Sequence, residues 1–229
     1  MVVSIHQPNF LPWPGYYQKM SMSDVFVFLD SVKYSKNSFI NRNRFTSGNN
    51  DSCWITVPVG KKFTSSIINQ VELTDRTWIK KHVKFFEQRY SKTSERDYLD
   101  SLLEQYSRIG KEKSVNLADF NISLIMMTKE VMGIECEIVK ASDLSIDRSL
   151  KKQDLIFEIL TELNCSKYVS GTGAKSYQQE SCFDERGIEL EYTTGVNDSE
   201  FLYNDSFVSA SDFILREGAC KLLEKMTLA

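Results

Sequence analysis

The chain has 229 residues, with 28 Lys+Arg against 31 Asp+Glu for a formal charge of −3, and is 41% hydrophobic and 26% charged. That composition fits one large globular domain and excludes disordered, collagen-like and low-complexity chains. The longest apolar runs, such as Val25 to Leu29, fall far short of the ~20 residues a membrane-spanning helix needs.

Val2 to Ile5 is a β-branched run and reads as a strand. His6, Gln7 and Pro8 follow too early for a signal-peptide core, so a cytoplasmic location is expected. Three of the four prolines (Pro8, Pro12, Pro14) then stiffen a loop. Leu11 to Met22 reads as a helix and Asp24 to Leu29 as a second strand, covered on both faces. Cys53 to Val59 and Ile68 to Leu73 read as a hairpin, with Pro58 marking an edge. A helix capped by Thr74 or Asp75 should run to about Tyr90. Further helices are expected over 98–109 and 117–132, the latter closed by Gly133. Then follow a strand at 134–139, a helix at 150–163, a strand at 167–169, a helix at 175–185, a strand at 188–192 and a final helix at 211–225.

Strands and helices alternate at both ends of the chain. The expectation is a single α/β domain over 1–229, with a mainly parallel, Rossmann-like sheet flanked by helices. A β-hairpin at 53–73 and a helical segment at 74–132 are inserted within it. Ligands of such sheets bind at the carboxyl ends of strands, so the residues following the strands carry the functional argument.

His6 follows the first strand, with Gln7, Asn9 and Trp13 close behind. A neutral imidazole can act as a base near neutral pH; alternatively it satisfies the turn. Asp30 ends the second strand, where an acid can orient a base or simply form a turn; Lys33 follows it. In Asn41-Arg42-Asn43-Arg44 the two arginines would share one face of an extended segment, and the two asparagines the other. Guanidinium forks match phosphates and carboxylates. His82 lies in a helical stripe with Trp78, Phe85 and Arg89, a pattern that also suits a core histidine. Lys81 turns about 100° away from it. Ser170-Gly171-Thr172-Gly173, followed by Lys175, leads from a strand into a helix. Free amides there would favour an anion, although a tight turn explains the glycines as well. Neither a Walker nor a GxGxxG spacing occurs.

Residues 33–92 carry 12 Lys+Arg and 4 Asp+Glu, whereas residues 176–229 carry 4 and 11. A basic front half suits an anionic ligand such as a nucleotide sugar; an aminoacyl-tRNA would suit it equally. Five widely spaced cysteines without a CxxC, and only two histidines, argue for reduced, buried thiols rather than a zinc site. No metal site and no cofactor motif is evident, and no donor-binding motif identifies an activated aminoacyl or acyl donor.

HQPNFLPWPGY at 6–16, DVFVFLDSVKYSKNSFINRNRF at 24–45, WITVPV at 54–59, WIKKH at 78–82 and YVSGTGAKSY at 168–177 together resemble the WbqC-like protein family. The likeness spans nearly the whole chain in the same order, and both histidines fall within it. It departs at 192–207, which lacks the prolines of the family's tyrosine- and proline-rich segment. The resemblance implies a bacterial protein of O-antigen or other surface-polysaccharide gene clusters, transferring an amino acid, glycine in particular, to a sugar. On that reading His6 is a base oriented by Asp30 or Asn9. Asn41, Arg42 and Arg44 hold phosphate or carboxylate, Lys81 and His82 add charge, and the 170–173 turn supplies amide donors. Two other functions fit the same residues. One is nucleotidyl transfer or adenylation on a degenerate nucleotide-binding fold, although the HxGH signature of nucleotidylyltransferases is absent. The other is non-catalytic binding of a nucleotide sugar.

Overall fold

The computed structural model describes residues 1–48, 51–176, 178–193, 201–203 and 206–227. At its centre lies a sheet of five parallel strands: β1 (Val2–His6), β2 (Val25–Phe28), β5 (Glu137–Lys140), β6 (Lys167–Ser170) and β7 (Glu189–Tyr192). Their order across the sheet is β5-β2-β1-β6-β7. The chain winds outward from β1 in one direction through β2 and β5, then crosses back to β6. The order therefore reverses between β1 and β6, which makes the carboxyl ends of those two strands the natural crevice.

Strand alternation splits the apolar residues between two faces. Val3, Ile5, Val25 and Val27 point into one core with Leu155, Phe157, Ile159 and Leu160 of α5 (Gln153–Glu162). Phe26 and Phe28 point into the other, with Tyr16, Tyr17 and Met20 of α1 (Pro14–Ser21) and most of the inserted segment. His6 shares this second face with Ser4, whose hydroxyl is buried and accepts a hydrogen bond from Ser23 at 2.7 Å. Among the described residues no helix is long and apolar enough to cross a membrane. None of the five cysteines is in a disulfide; four are half-buried rather than fully buried, and Cys220 is exposed.

The insertion holds a hairpin and three helices, α2 (Thr77–Arg89), α3 (Arg96–Lys111) and α4 (Leu117–Val131). The hairpin is not the expected 53–73 unit. β4 (Asp51–Thr56) pairs antiparallel with β3 (Arg42–Gly48), in a register that sets Arg42 opposite Thr56 and Arg44 opposite Trp54. The polar run NRNRFTSG hides a strand because its buried positions are filled by asparagines as well as Phe45. Residues 68–73 instead make a 3-10 turn (Ile68–Gln70) and bond the segment before α4, Leu73 N–H to Val115 O and Leu117 N–H to Val71 O, both at 2.8 Å.

Three helical boundaries also differ. α1 begins at Pro14, since Pro12 and a left-handed Leu11 (φ 42°) prevent an earlier start. The expected 175–185 helix shrinks to a 3-10 turn (Thr172–Ala174) and the four-residue α6 (Ser181–Asp184). SYQQES offers no apolar stripe, and Phe183, stacked on Tyr168 at 5.8 Å, anchors the segment. The final helix is divided into α7 (Ala210–Glu217) and α8 (Ala219–Thr227) at Gly218, whose φ of 99° only glycine adopts freely. Of the departing segment 192–207, residues 194–200 and 204–205 lie outside the described residues; two short strands, β8 (Leu202–Tyr203) and β9 (Ser206–Phe207), pair within it.

α7 fastens the insertion to the loop after β1. Ser209 N–H donates to Arg44 O (2.9 Å) and Ala210 N–H to Pro12 O (2.8 Å). The fully buried Asp212 accepts from Thr46 N–H (2.9 Å), the Thr46 hydroxyl (2.8 Å), the Tyr90 hydroxyl and Arg216.

Candidate functional site

His6 ends β1 at the reversal point, half-buried between Trp13 and Tyr16, with ring centroids at 5.4 and 4.8 Å. Its Nδ1 lies 3.2 Å from the Gln7 carbonyl, which can only accept, so Nδ1 carries the proton and Nε2 presents a lone pair. The same carbonyl accepts the Tyr16 hydroxyl at 3.0 Å. Burial, reinforced by the nearby Lys19 charge, holds the His6 pKa well below 6.5, so the imidazole is neutral at pH 7.

The loop after His6 is pinned from two sides. Asn43 Nδ2 donates to Leu11 O at 2.6 Å, which fixes the left-handed turn. Asn121 of α4 donates to Pro8 O (2.8 Å) and Ile40 O (2.7 Å). Asn9 is buried in this loop. The alternation expected of NRNR is present. Asn41 and Asn43 are buried, while Arg42 and Arg44 both lie over the Trp54 ring, at 4.2 and 5.0 Å.

An aromatic path joins the arginines to His6. Trp54 meets Phe39 at 5.9 Å, Phe39 meets Trp13 at 6.0 Å, and Trp13 meets His6. Trp54 and Phe39 are 39% and 42% exposed, two of the few large apolar side chains open to solvent. Neither guanidinium has a carboxylate partner or a side-chain hydrogen bond among the described residues. The Tyr34 hydroxyl, Asn41 Oδ1 and Arg42 Nε are buried without partners among the described residues.

Other expected site residues are placed differently. Asp30 lies two residues beyond β2 and does not orient His6: its carboxylate accepts from Ser142 N–H (2.9 Å), the Ser142 hydroxyl (2.7 Å) and Asn69 (3.4 Å). The Gln7 carbonyl takes that orienting place. His82 lies beneath the loop, 6% exposed, against Trp78, Tyr106 and Phe10. Its Nε2–H donates to Thr56 O (3.1 Å) and its Nδ1 accepts from the Tyr106 hydroxyl (3.2 Å). Burial pushes its pKa down to about 4, so it contributes no positive charge at pH 7. Lys33, Lys81, Thr172 and Lys175 are exposed; Lys175 sits 4.8 Å over the Tyr192 ring.

Ser170 ends the strand next to β1 and so shares the carboxyl edge with His6, but it continues the Tyr168 face of the sheet, opposite the imidazole. Its hydroxyl donates to Gln178 (3.1 Å). Beyond half-buried Gly171, the amides of Ala174 and Lys175 are spent inside the 3-10 turn. A depression between α3 and α4, lined by Glu104, Arg108, Lys129 and Glu130 among others, shares no residue with the His6–Trp54 path.

Sequence reasoning missed Lys19. This side chain on α1 is 4% exposed, donates to Ile5 O at 2.8 Å and has no carboxylate partner among the described residues. Burial lowers its pKa to about 7. The unfolded chain therefore holds a proton that the folded chain releases between pH 7 and about 10.5, so wild-type stability should climb across that window. Lys19→Met should melt higher than wild type at pH 7 and lose that climb, as measured by thermal melts over a pH series.

Five parallel strands flanked by helices, with the strand order reversing beside His6, make this a Rossmann-like α/β protein by architecture. The chain belongs to the WbqC-like protein family, whose model matches residues 7–213 and so takes in the loop, the hairpin and the edge of the sheet. The uncharacterized protein Rv1507c of Mycobacterium tuberculosis is 29% identical over 223 residues, covering 95% of this chain and 94% of that protein. No solved structure matches the chain.

Proposed function

We propose that this protein is a transferase of bacterial surface-polysaccharide (O-antigen) biosynthesis that attaches a glycine-type aminoacyl or an acyl group to a nucleotide-linked amino sugar. The observation that supports this most is the state of His6. It is neutral, its Nδ1–H is tied to Gln7 O, and its Nε2 lone pair is free at the strand reversal point. An amine attacking an activated ester or thioester forms a C–N bond and must lose a proton. His6 Nε2 takes that proton and returns it to the departing alcohol or thiol as the tetrahedral intermediate collapses. Arg42 and Arg44 hold the phosphate or carboxylate of the ligand.

The test is a screen of nucleotide-linked amino sugars against aminoacyl and acyl donors, read by mass spectrometry as the gain of one aminoacyl or acyl group. ATP-dependent release of pyrophosphate would point to adenylation instead. A second reading, a non-catalytic nucleotide-sugar binder, is favoured by the 170–175 turn, which spends the Ala174 and Lys175 amides internally rather than on an oxyanion. Tight binding without turnover across all donors would establish it.

Arg42→Lys should separate binding from chemistry. Lysine keeps the charge but loses the planar fork, so substrate affinity should fall with kcat little changed. Calorimetry and initial rates on the purified variant check this.

A further inference from the structure

Two cations over one exposed indole, neither paired with a carboxylate among the described residues, call for a physical explanation. Like charges on adjacent face positions of a hairpin repel. Arg42 and Arg44 nevertheless converge on Trp54, at 4.2 and 5.0 Å, both half-buried. A guanidinium stacked on a ring uses its flat face and keeps its N–H edge free for in-plane hydrogen bonds. Trp54 thus holds two forks ready for an oxyanion. Arg42 Nε and Asn41 Oδ1, at the start of β3, and the Tyr34 hydroxyl, which feels the Arg42 charge, are buried without partners among the described residues. Buried polar groups left unmatched are costly, and a polar ligand reaching them would remove part of that cost.

We infer that Trp54 is a positioning residue for a phosphate-binding pair, Arg42 and Arg44, and that the exposed Phe39 and half-buried Trp13 carry the sugar ring of the same ligand toward His6. The substrate class is a sugar phosphate or nucleotide sugar, bound with its phosphates at the Trp54 end and its reacting group at the His6 end. Ring faces suit the apolar C–H face of a pyranose, while the forks suit phosphate oxygens. The polarity follows from the order of the path: Arg42 and Arg44, Trp54, Phe39, Trp13, His6. This inference rests on the His6 site proposed above.

The experiment measures binding of four probes by calorimetry: UDP-N-acetylglucosamine, UDP, N-acetylglucosamine and inorganic phosphate. Wild type should bind the first two and bind the uncharged sugar far more weakly. Trp54→Ala should weaken UDP-N-acetylglucosamine and UDP alike, by about tenfold, with Trp54→Phe restoring much of the loss. Phe39→Ala should weaken UDP-N-acetylglucosamine while leaving UDP at wild-type affinity. Melting curves identify folded variants, and Phe39→Ala tests the polarity even if Trp54→Ala does not fold. Wild-type affinities in both variants overturn the inference. So does loss of UDP binding in Phe39→Ala, or a wild type that binds none of the probes. The two proposals fail separately. The expected binding pattern in a protein that transfers no group keeps the polarity and removes the transferase. Turnover with unchanged affinities in both variants does the reverse.

Discussion

His6→Ala should lower turnover by ~10²–10⁴-fold, the range of a positioned general base, with little change in substrate affinity. Its melting temperature should stay near wild type, because the imidazole is half-buried and its one hydrogen bond is to the adjoining Gln7 carbonyl. The pH profile sharpens the test. Burial and Lys19 hold the His6 pKa below 6.5, so the base stays unprotonated and the acid limb of the rate profile should lie below that value. Turnover by mass spectrometry, affinity by calorimetry and thermal melts on one preparation decide the matter. A variant that melts far below wild type while each folded molecule turns over normally would make His6 a structural cap, and the binding-protein reading would move ahead.

His82→Gln should act on stability instead. The ring bridges Thr56 O of β4 and the Tyr106 hydroxyl of α3 inside an aromatic cluster, and replacing it leaves at least one of these groups poorly matched. The expected loss at pH 7 is about 1–3 kcal/mol. The sign with pH is definite. Folded His82 titrates near 4 and an unfolded histidine near 6.5, so the unfolded state binds the extra proton between those values. The stability attached to neutral His82 is complete above pH 6.5 and is lost as pH falls to about 4, by about 3 kcal/mol in all. Glutamine does not titrate, so the gap between wild type and variant should narrow across that window in urea melts. A gap independent of pH would contradict the buried, neutral assignment. A collapse of turnover per folded molecule would return His82 to the chemistry.

The sheet was legible because β1 and β2 are short apolar runs, and such runs mark strands covered on both sides. The outward arginines and inward asparagines of 41–44 were legible for a similar reason, since alternation survives whatever the strand pairs with. The pairing itself was not legible. Residues 53–56 could face either flank, and the choice was made by Phe45, the buried asparagines and the distant Asp212 clamp. Asp30 lies two residues past the end of β2, and its partner Ser142 is 112 positions away and invisible locally. The core alternative for His82 came from its helical stripe, which shows periodicity but not what lies opposite. Lys19, Asn121 and Trp54 left no functional trace. A buried lysine, a loop-pinning asparagine and an indole gripped by arginines are defined by neighbours brought together only by folding.

The tie between α7 and the front of the molecule has a bearing on synthesis. A ribosome releases the loop at 7–13 and the hairpin early, but the bonds from Ala210 N–H to Pro12 O, from Ser209 N–H to Arg44 O and from Thr46 to Asp212 form only once residues 209–212 are made. The central strand β1 likewise waits for β6 before both its edges are paired. A nascent chain stopped before residue 209 would own every candidate site residue and still lack the clamp that holds the loop against the hairpin. Assembly of the His6–Trp54 surface is therefore a late event in the life of each molecule, and until then its exposed rings are open to chaperones or to neighbouring chains.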